Sequence, residues 1–445
     1  MGLNGRTRIR LAQCICLVAA VLIVRGGFLF SHQDSLHEDP DAYRVIAQTL
    51  AKTDVFGLPV GMDGARPTAF RPPLYPWLLS WLVDDSGTLS NSSVAIFHWI
   101  LGGLTVVFTW DIARRLLSNG AAAIAAGLVL IDPILLWQSS LVMTETIATA
   151  LAVSVWWWIA RHTQPAVDDQ GQPTPRRAYL LNAFVLGTLL ALCILCRPTF
   201  LVWAMLVLPV LALMGEVCRY RRATAIAMSV AVIVAGVGAW TVRNVGAIGH
   251  PVWGTTHGGY TLLLANNDSF YDYLEDRPYE LPWRRHAWEP AVFFAEYQEL
   301  PRSGDEWADD QLAYAAAKTT IAERPRMFLY SCWVRLTRLW QPFPHAVDGR
   351  SPFLIIVVGL LHCVVYALIL IAGLRHVHQF HPHRWRRWVA WWPAVAILIT
   401  LSGVHTVYWS NSRMRSPAIP ALSIAAAAAF VGRKNPSPVS VGRSG

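Results

Sequence analysis

The sequence predicts an all-α polytopic membrane protein with about ten transmembrane helices. Of its 445 residues, 54% are hydrophobic and only 15% are charged, whereas soluble globular chains carry about a quarter charged residues. The apolar residues also form blocks long enough to cross a hydrocarbon core about 30 Å thick, which takes roughly 20 helical residues. These blocks predict spans near residues 11–30, 93–113, 120–137, 141–160, 178–196, 199–217, 223–242, 352–374, 388–408 and 416–431.

The first of these blocks has some features of a secretory signal peptide. Arg6, Arg8 and Arg10 precede an apolar core, as in the basic start of such a peptide. However, the apolar run reaches Phe30 without a small-residue cleavage site, and further spans follow. We therefore interpret it as a retained helix.

The distribution of basic residues predicts the orientation of the spans, because cytoplasmic connections carry an excess of Lys and Arg. One set of short connections is rich in Arg and poor in acid, and it also includes both termini. The sequence therefore predicts a multi-pass protein of the plasma (inner) membrane with both termini in the cytoplasm. The net charge of +9 reflects this topology, and we do not take it as a sign of nucleic-acid binding.

The predicted spans divide the chain into four parts. Residues 1–242 form an N-terminal transmembrane part, which includes a first outer loop at 31–71. Residues 243–350 form a long outer segment, residues 351–431 return to the membrane, and residues 432–445 are a cytoplasmic tail. Within the outer segment, residues 243–305 are rich in Gly, Pro and aromatics and predict a loop. The part that follows, up to residue 340, predicts two helices broken at Pro325.

Cysteine and histidine usage gives no sign of a disulfide framework or a metal site. Six of the seven cysteines lie in or beside predicted spans, where thiols behave as small apolar residues. The histidines of "RHVHQFHPHRWRRW" lack metal-ligand spacing, and the surrounding Arg and Trp favour contact with anionic head groups. The sequence therefore indicates no metal or other cofactor.

Asp39 and Asp41 lie in the first outer loop, in "HEDPDAYRVIAQTLAKTD". Asp39 followed by Pro40 predicts the start of a surface helix over residues 40–51. Asp39 then has two compatible interpretations: a helix cap, or an ionised carboxylate that serves as a general base at the water–lipid boundary. Asp41 is the alternative base.

Arginines gather at the outer ends of the predicted spans, where basic residues are disfavoured. An arginine fork can donate two parallel hydrogen bonds to a phosphate group. A helix-end arginine can also reach for water or lipid head groups without any further role. Their number on one face favours phosphate binding, and the candidates are Arg71, Arg197, Arg243, Arg413 and Arg415.

Glu145 lies near the outer end of the span predicted over 141–160. A charge there is costly and indicates function or a paired arginine. Pairing with Arg197 or Arg243 and direct contact with a substrate are equally compatible with the sequence. Asp111 and Asp132 also lie at span edges, and we interpret them as helix-end residues.

Several ordered motifs resemble those of a known enzyme family. They are Asp39-x-x-x-Tyr43, "RPPLYPWLLSWL", "TET", "CRPTFLV", "TVRNVGAIGHPVWGTTHGGYTLLLANN", "RPRMFLYSCWVRLTRLWQP" and "SRMRSPAIPALSIAAAA". The set resembles GT-C fold membrane glycosyltransferases of the protein O-mannosyltransferase and aminoarabinose transferase superfamily, described as dolichyl-phosphate-mannose mannosyltransferase-like. The first loop departs from the pattern, because many relatives have Asp-Glu where this chain has Asp39-Pro40 followed by Asp41.

The resemblance implies an inverting glycosyltransferase that moves a hexose or pentose from a polyprenyl-phosphate donor to a protein, lipid or cell-envelope glycan on the outer face. Asp39 would accept the proton of the acceptor. Arg71, with Arg243 or the pair Arg413 and Arg415, would hold the lipid phosphate. Tyr43 would orient the acceptor or stack on a sugar ring, unless it only anchors the helix at the interface.

Two other classes share parts of this pattern. A lipid-carrier glycan ligase or polymerase would also use outer arginines, and it differs in taking a lipid-linked oligosaccharide diphosphate. A secondary transporter would show repeat symmetry and broken helices at mid-membrane. The charged residues here gather at one face instead, which favours the transferase.

Overall fold

The computed structural model describes residues 13, 15–61, 64–162, 176–209, 219–276, 290–300, 302–344, 351–376 and 385–431. Among them, the strands are β1 (Gly57–Val60) and β2 (Gly64–Pro67), which form an antiparallel hairpin with Gly57 opposite Pro67. A π-helical turn covers Leu22–Gly26, and 3-10 turns cover Gln33–His37, Ser412–Ala418 and Ala428–Phe430.

Helices account for most of the remaining described residues. In chain order they are α1 (Gly27–Ser31), α2 (Tyr43–Thr53), α3 (Leu74–Ser80), α4 (Asn91–Leu116), α5 (Asn119–Ile131), α6 (Pro133–Ser139), α7 (Glu145–His162), α8 (Arg176–Cys196), α9 (Phe200–Val207), α10 (Arg219–Ile248), α11 (Gly258–Ala265), α12 (Asp268–Asp276), α13 (Pro290–Glu299), α14 (Glu306–Glu323), α15 (Pro325–Trp340), α16 (Pro352–His376), α17 (Trp385–Val407) and α18 (Ile419–Ala427).

Within the described residues, five helices are long and apolar enough to cross a membrane: α4, most of α8 and α10, α16, and most of α17. The pair α5 and α6, bent by 47°, adds a sixth if it acts as one span. The predicted count of ten is not confirmed. The segment predicted at 416–431 is divided into short helical pieces, where Pro417 and Pro420 cannot donate backbone hydrogen bonds.

The membrane helices pack around one large apolar core to which α3, α4, α7, α8, α9 and α17 all contribute. Polar side chains cap the helices where they start. Ser90 accepts the Ser93 amide at the start of α4, and Asp132 accepts two amides at the start of α6. Asp111 lies near the C-terminal end of α4 and pairs with Arg115. Both aspartates are therefore helix-end residues, as the sequence predicts.

The prediction of a loop over residues 243–305 is wrong for most of the described part of that segment, although residues 249–257 are not helical. Helix α10 continues to Ile248, and α11, α12 and α13 follow it. Apolar residues of α11 and α12, such as Leu263 and Phe270, are buried in a cluster with Ala317 of α14. Burial of these side chains offsets the Gly- and Pro-rich composition, since packing routinely overrides local propensity. The break at Pro325 between α14 and α15 is confirmed.

Candidate functional site

Asp39 lies just before the surface helix of the first outer loop, but the helix begins at Tyr43 and not at Pro40. Residues 39–42 form a turn in which the Ala42 amide donates to the Asp39 carbonyl, and Ala42 takes a left-handed conformation with φ 59°. Asp39 still acts as a cap, because its Oδ2 accepts the Val45 amide at 3.0 Å. Its Oδ1 is buried without a hydrogen-bond partner among the described residues.

Asp41 forms an ion pair with Arg71 at the other end of the first loop. The Arg71 Nη2 lies 2.6 Å from Asp41 Oδ1, and its Nε donates to the Asp41 carbonyl at 2.8 Å. The guanidinium also lies 4.4 Å from the centre of the Phe70 ring. Nη1 of Arg71 has no partner within the described part of the chain, so it is available to an anion.

Tyr43 is buried in the wall of the site and does not face lipid. Its ring packs edge-on against Tyr75 at 5.2 Å, and the Tyr75 hydroxyl hydrogen bonds to His98 at 2.7 Å. Burial raises the pKa of Tyr43 to about 12, although the charge of Arg71 opposes this shift. The hydroxyl is therefore neutral near pH 7, when it can both donate and accept a hydrogen bond.

Glu145 pairs with Arg197, as one of the two sequence interpretations predicts. The Glu145 side chain is 0% exposed, and its Oε1 lies 2.8 Å from Arg197 Nη2. Arg197 also donates from Nε to the Thr144 hydroxyl at 2.7 Å. The charges of this pair and of the Asp41–Arg71 pair all act on the Tyr43 hydroxyl. Tyr43 therefore lies between two ion pairs.

Arg413 approaches the same carboxylate from the loop between α17 and α18. Its Nε lies 3.6 Å from Glu145 Oε1, and its side chain is 32% exposed. Nη1 contacts the Met143 sulfur at 2.8 Å, which is a weak acceptor. Two arginines therefore share one buried carboxylate, and the group carries a net positive charge that is partly open to solvent.

Arg243 and Arg415, which the sequence also predicts as phosphate ligands, both donate to backbone carbonyls. Arg243 lies inside α10 rather than at its end, and donates to the backbone carbonyls of Thr68 (2.8 Å) and Phe56. Arg415 is 1% exposed and donates to the Leu339 carbonyl at 3.2 Å. Both guanidinium groups are used to hold backbone segments together.

Two carboxylates of α14 and one histidine contact this region, although the sequence did not single them out. Glu306 accepts hydrogen bonds from the Thr68 hydroxyl at 2.5 Å and the Ala69 amide at 2.6 Å. Asp310 accepts the Gly259 amide at 2.7 Å. His257 packs edge-on against Phe70 at 4.7 Å. The paired glycines in "HGGY" were the available signal, since such pairs permit close backbone approach.

The part of the chain that the structure describes contains no cluster of side chains that could coordinate a metal ion. No three His, Cys, Asp or Glu side chains there are grouped closely enough to hold an ion. The side chains gathered at the candidate site are carboxylates, guanidinium groups and aromatic rings.

Comparison with known proteins shows what the chain is similar to. The family described as dolichyl-phosphate-mannose-protein mannosyltransferase matches residues 70–240. No curated protein sequence matches the chain significantly. Among solved structures, the Archaeoglobus fulgidus oligosaccharyltransferase in its apo form has a TM-score of 0.50 at 17% identity, over 94% of this chain and 50% of that one. The present chain thus spans about half the length of that enzyme.

Two structures of ArnT from Cupriavidus metallidurans are also similar. The apo form is 14% identical with a TM-score of 0.41, covering 95% of this chain and 76% of that one. The form bound to undecaprenyl phosphate is 15% identical with a TM-score of 0.41, covering 91% and 77%. The likeness to the Archaeoglobus fulgidus oligosaccharyltransferase shows that the chain has a GT-C type membrane fold. The family match over residues 70–240 covers less than half of the chain and shows similarity to that family in this part.

Proposed function

We propose that this protein is an inverting glycosyltransferase that takes a hexose or pentose from a polyprenyl-phosphate donor. The acceptor is a hydroxyl group of a protein, lipid or cell-envelope glycan on the outer face of the membrane. The observation that carries the proposal is the pair of ion pairs that act on Tyr43, Asp41–Arg71 and Glu145–Arg197, with Arg413 beside Glu145. The family match over residues 70–240 supports the same reaction class.

The donor phosphate is assigned to Arg71 and Arg413. Arg71 has Nη1 free of described partners while Asp41 fixes the rest of its guanidinium group. Arg413 is the more exposed of the two arginines beside Glu145. A guanidinium group is suited to a phosphate because its N–H groups form charge-assisted hydrogen bonds. In the reaction, these groups stabilise the charge that develops on the departing lipid phosphate.

The general base is assigned to Asp39. Its Oδ2 is fixed by the Val45 amide, while Oδ1 has no described partner. Buried polar atoms are almost always hydrogen-bonded, so an exception needs an explanation. In the proposed displacement, the acceptor oxygen bonds to the anomeric carbon, the bond from that carbon to the phosphate oxygen breaks, and Oδ1 takes the acceptor proton. Asp41 then serves to position Arg71.

The outer-face location follows from the arginine distribution of the sequence. In this proposal, residues 31–71 and the helices α11 to α15 lie on the side opposite the Arg-rich connections of the sequence. Both termini are then cytoplasmic. A donor carried by a lipid is already in the membrane, which explains why the site is built at the ends of membrane helices.

The test is transfer of radiolabelled sugar from polyprenyl-phosphate monosaccharides, including mannose, by the purified protein in nanodiscs. Cell-envelope fractions from a strain lacking this chain supply the acceptor. Asp39→Asn keeps an oxygen for the Val45 amide and removes proton acceptance, so turnover should fall by about 10²–10⁴-fold. Asp41→Asn is the matched variant, and it should mainly raise the KM for the donor by releasing Arg71.

Three outcomes would oppose the proposal. Normal turnover in Asp39→Asn would reduce Asp39 to a helix cap. Loss of turnover in Asp41→Asn alone would place the base two residues further along. Absence of transfer from every polyprenyl-phosphate sugar, with a folded protein, would reject the donor class.

A further inference from the structure

The segment between α10 and α11 docks against the first outer loop next to Arg71. The Thr256 amide donates to the Ala69 carbonyl at 3.0 Å, and Gly254 packs on Pro198. His257 then immediately precedes α11, and its side chain makes no capping hydrogen bond. The segment thus places His257 opposite the residues at the end of the first loop.

The two glycines after His257 are needed for this placement. A Cβ at Gly259 would lie 2.1 Å from the Asp310 carbonyl oxygen, and one at Gly258 would lie 2.1 Å from the Tyr314 hydroxyl. The start of α11 can therefore approach α14 closely enough for Asp310 to accept the Gly259 amide. His257 is held by a backbone that has little freedom to move.

The imidazole of His257 lies between two aromatic rings. It meets Phe70 edge-on at 4.7 Å and stacks on Tyr260 at 4.6 Å. Its ring nitrogens nevertheless have no hydrogen-bond partner among the described residues, and the side chain is partly exposed. Neither nitrogen is among the described buried side-chain atoms that lack a partner, so both are open to solvent and available to a bound molecule.

Burial and the charge of Arg71 both hold the pKa of His257 well below its usual range. The imidazole is therefore neutral at pH 7, with one nitrogen donating and the other accepting. A neutral ring of this kind suits a hydroxyl group, which also donates and accepts. It offers a phosphate much less than the neighbouring guanidinium group does.

We propose that His257 hydrogen bonds to a hydroxyl group of the transferred sugar, while Phe70 and Tyr260 contact the apolar face of the sugar ring. This inference rests on the proposed function, and it assigns the sugar to the side of Arg71 that carries His257. In the donor, the sugar is bonded directly to the phosphate. A phosphate on Arg71 therefore places the sugar within reach of the rings next to it.

The test compares binding of a polyprenyl-phosphate monosaccharide with binding of polyprenyl phosphate that carries no sugar, both to protein in nanodiscs. His257→Phe keeps an aromatic ring between Phe70 and Tyr260 and removes the two nitrogens. It should weaken binding of the sugar-bearing lipid about 5- to 50-fold, the cost of an unmade hydrogen bond, and leave the sugar-free lipid unchanged. His257→Gln should restore part of the loss.

Arg71→Ala is the reference variant, because it should weaken binding of both lipids alike. Equal binding of both lipids by His257→Phe and the parent would overturn the inference. Equal weakening of both lipids by His257→Phe would also overturn it, since His257 would then act on the phosphate or on the fold. If the parent binds neither lipid, the proposed function fails rather than this inference alone.

Discussion

Glu145 allows a quantitative test of the buried charge at the centre of the site. Its side chain is 0% exposed and lies 2.8 Å from Arg197 and 3.6 Å from Arg413. Glu145→Gln preserves the shape of the side chain and removes the charge, so both arginines lose their counterion. Breaking a buried ion pair from one side costs about 3–5 kcal/mol, and we expect a loss of this size in the free energy of unfolding.

The chain provides a matched control in the outer segment. Glu275 lies 2.6 Å from Arg324, but its side chain is 61% exposed. Since an exposed ion pair contributes at most about 1 kcal/mol, Glu275→Gln should change stability little. Unfolding of both variants is measured in mixed micelles by titration with a denaturing detergent. An equal, small loss in both variants would refute the assignment of Glu145 as a buried counterion.

A second measurement separates the structural role of Glu145 from its electrostatic role in the site. With the carboxylate neutralised, Arg197 and Arg413 present a larger positive charge to an anion. Polyprenyl phosphate should therefore stabilise Glu145→Gln more than it stabilises the parent protein, because a ligand that binds only the folded state adds to its stability. Equal stabilisation of the two proteins would place the lipid phosphate away from Arg413.

Four further predictions follow from individual contacts. Burial raises the pKa of Asp310 from 3.8 to about 6, so between these pH values the folded state binds more protons than the unfolded state. Stability should therefore rise as the pH falls through this window. Asp310→Asn should remove that rise, as measured by thermal unfolding. Ala42→Gly should stabilise the protein by up to about 1 kcal/mol, because glycine accepts the left-handed conformation of this residue. Ala51→Gly, at an exposed position inside α2, should instead lower the stability by about 1 kcal/mol. Arg243→Ala should expose the β1–β2 hairpin to protease, because the Phe56 and Thr68 carbonyls lose their donor. A membrane-impermeant maleimide applied to intact cells should label a cysteine at exposed Gln298 and spare one at exposed Asn119, and the reverse pattern would reject the outer-face proposal.

The membrane class and several site contacts are readable from the sequence because they depend on local composition. Long apolar runs predict the helices of the bundle, and a charge at the outer end of a span predicts a partner, which Glu145 has in Arg197. The break at Pro325 follows from the missing amide hydrogen of proline. Each of these features is decided within a short stretch of chain.

Other features depend on contacts between distant residues and could not be read in the same way. Residues 39–42 form a turn, so helix α2 starts at Tyr43 and not at Pro40. The sequence predicts Arg243 as a phosphate ligand at the end of a span, and the fold adds that its N–H groups donate to the carbonyls of Phe56 and Thr68. The sequence shows that an arginine is present at such a site, and only the fold shows whether its donors are already occupied.

Helix α14 links the two walls of the proposed site. Glu306 and Asp310 are four residues apart and therefore project from the same face of the helix. Glu306 accepts from the Thr68 hydroxyl and from the amide of Ala69, two residues before Arg71. Asp310 accepts from the amide of Gly259, two residues after His257. One rigid turn of helix thus sets the spacing between Arg71, which is proposed to bind the phosphate, and His257, which is proposed to bind the sugar. A displacement of α14 would move Arg71 and His257 together, so α14 contributes directly to the geometry of the proposed site.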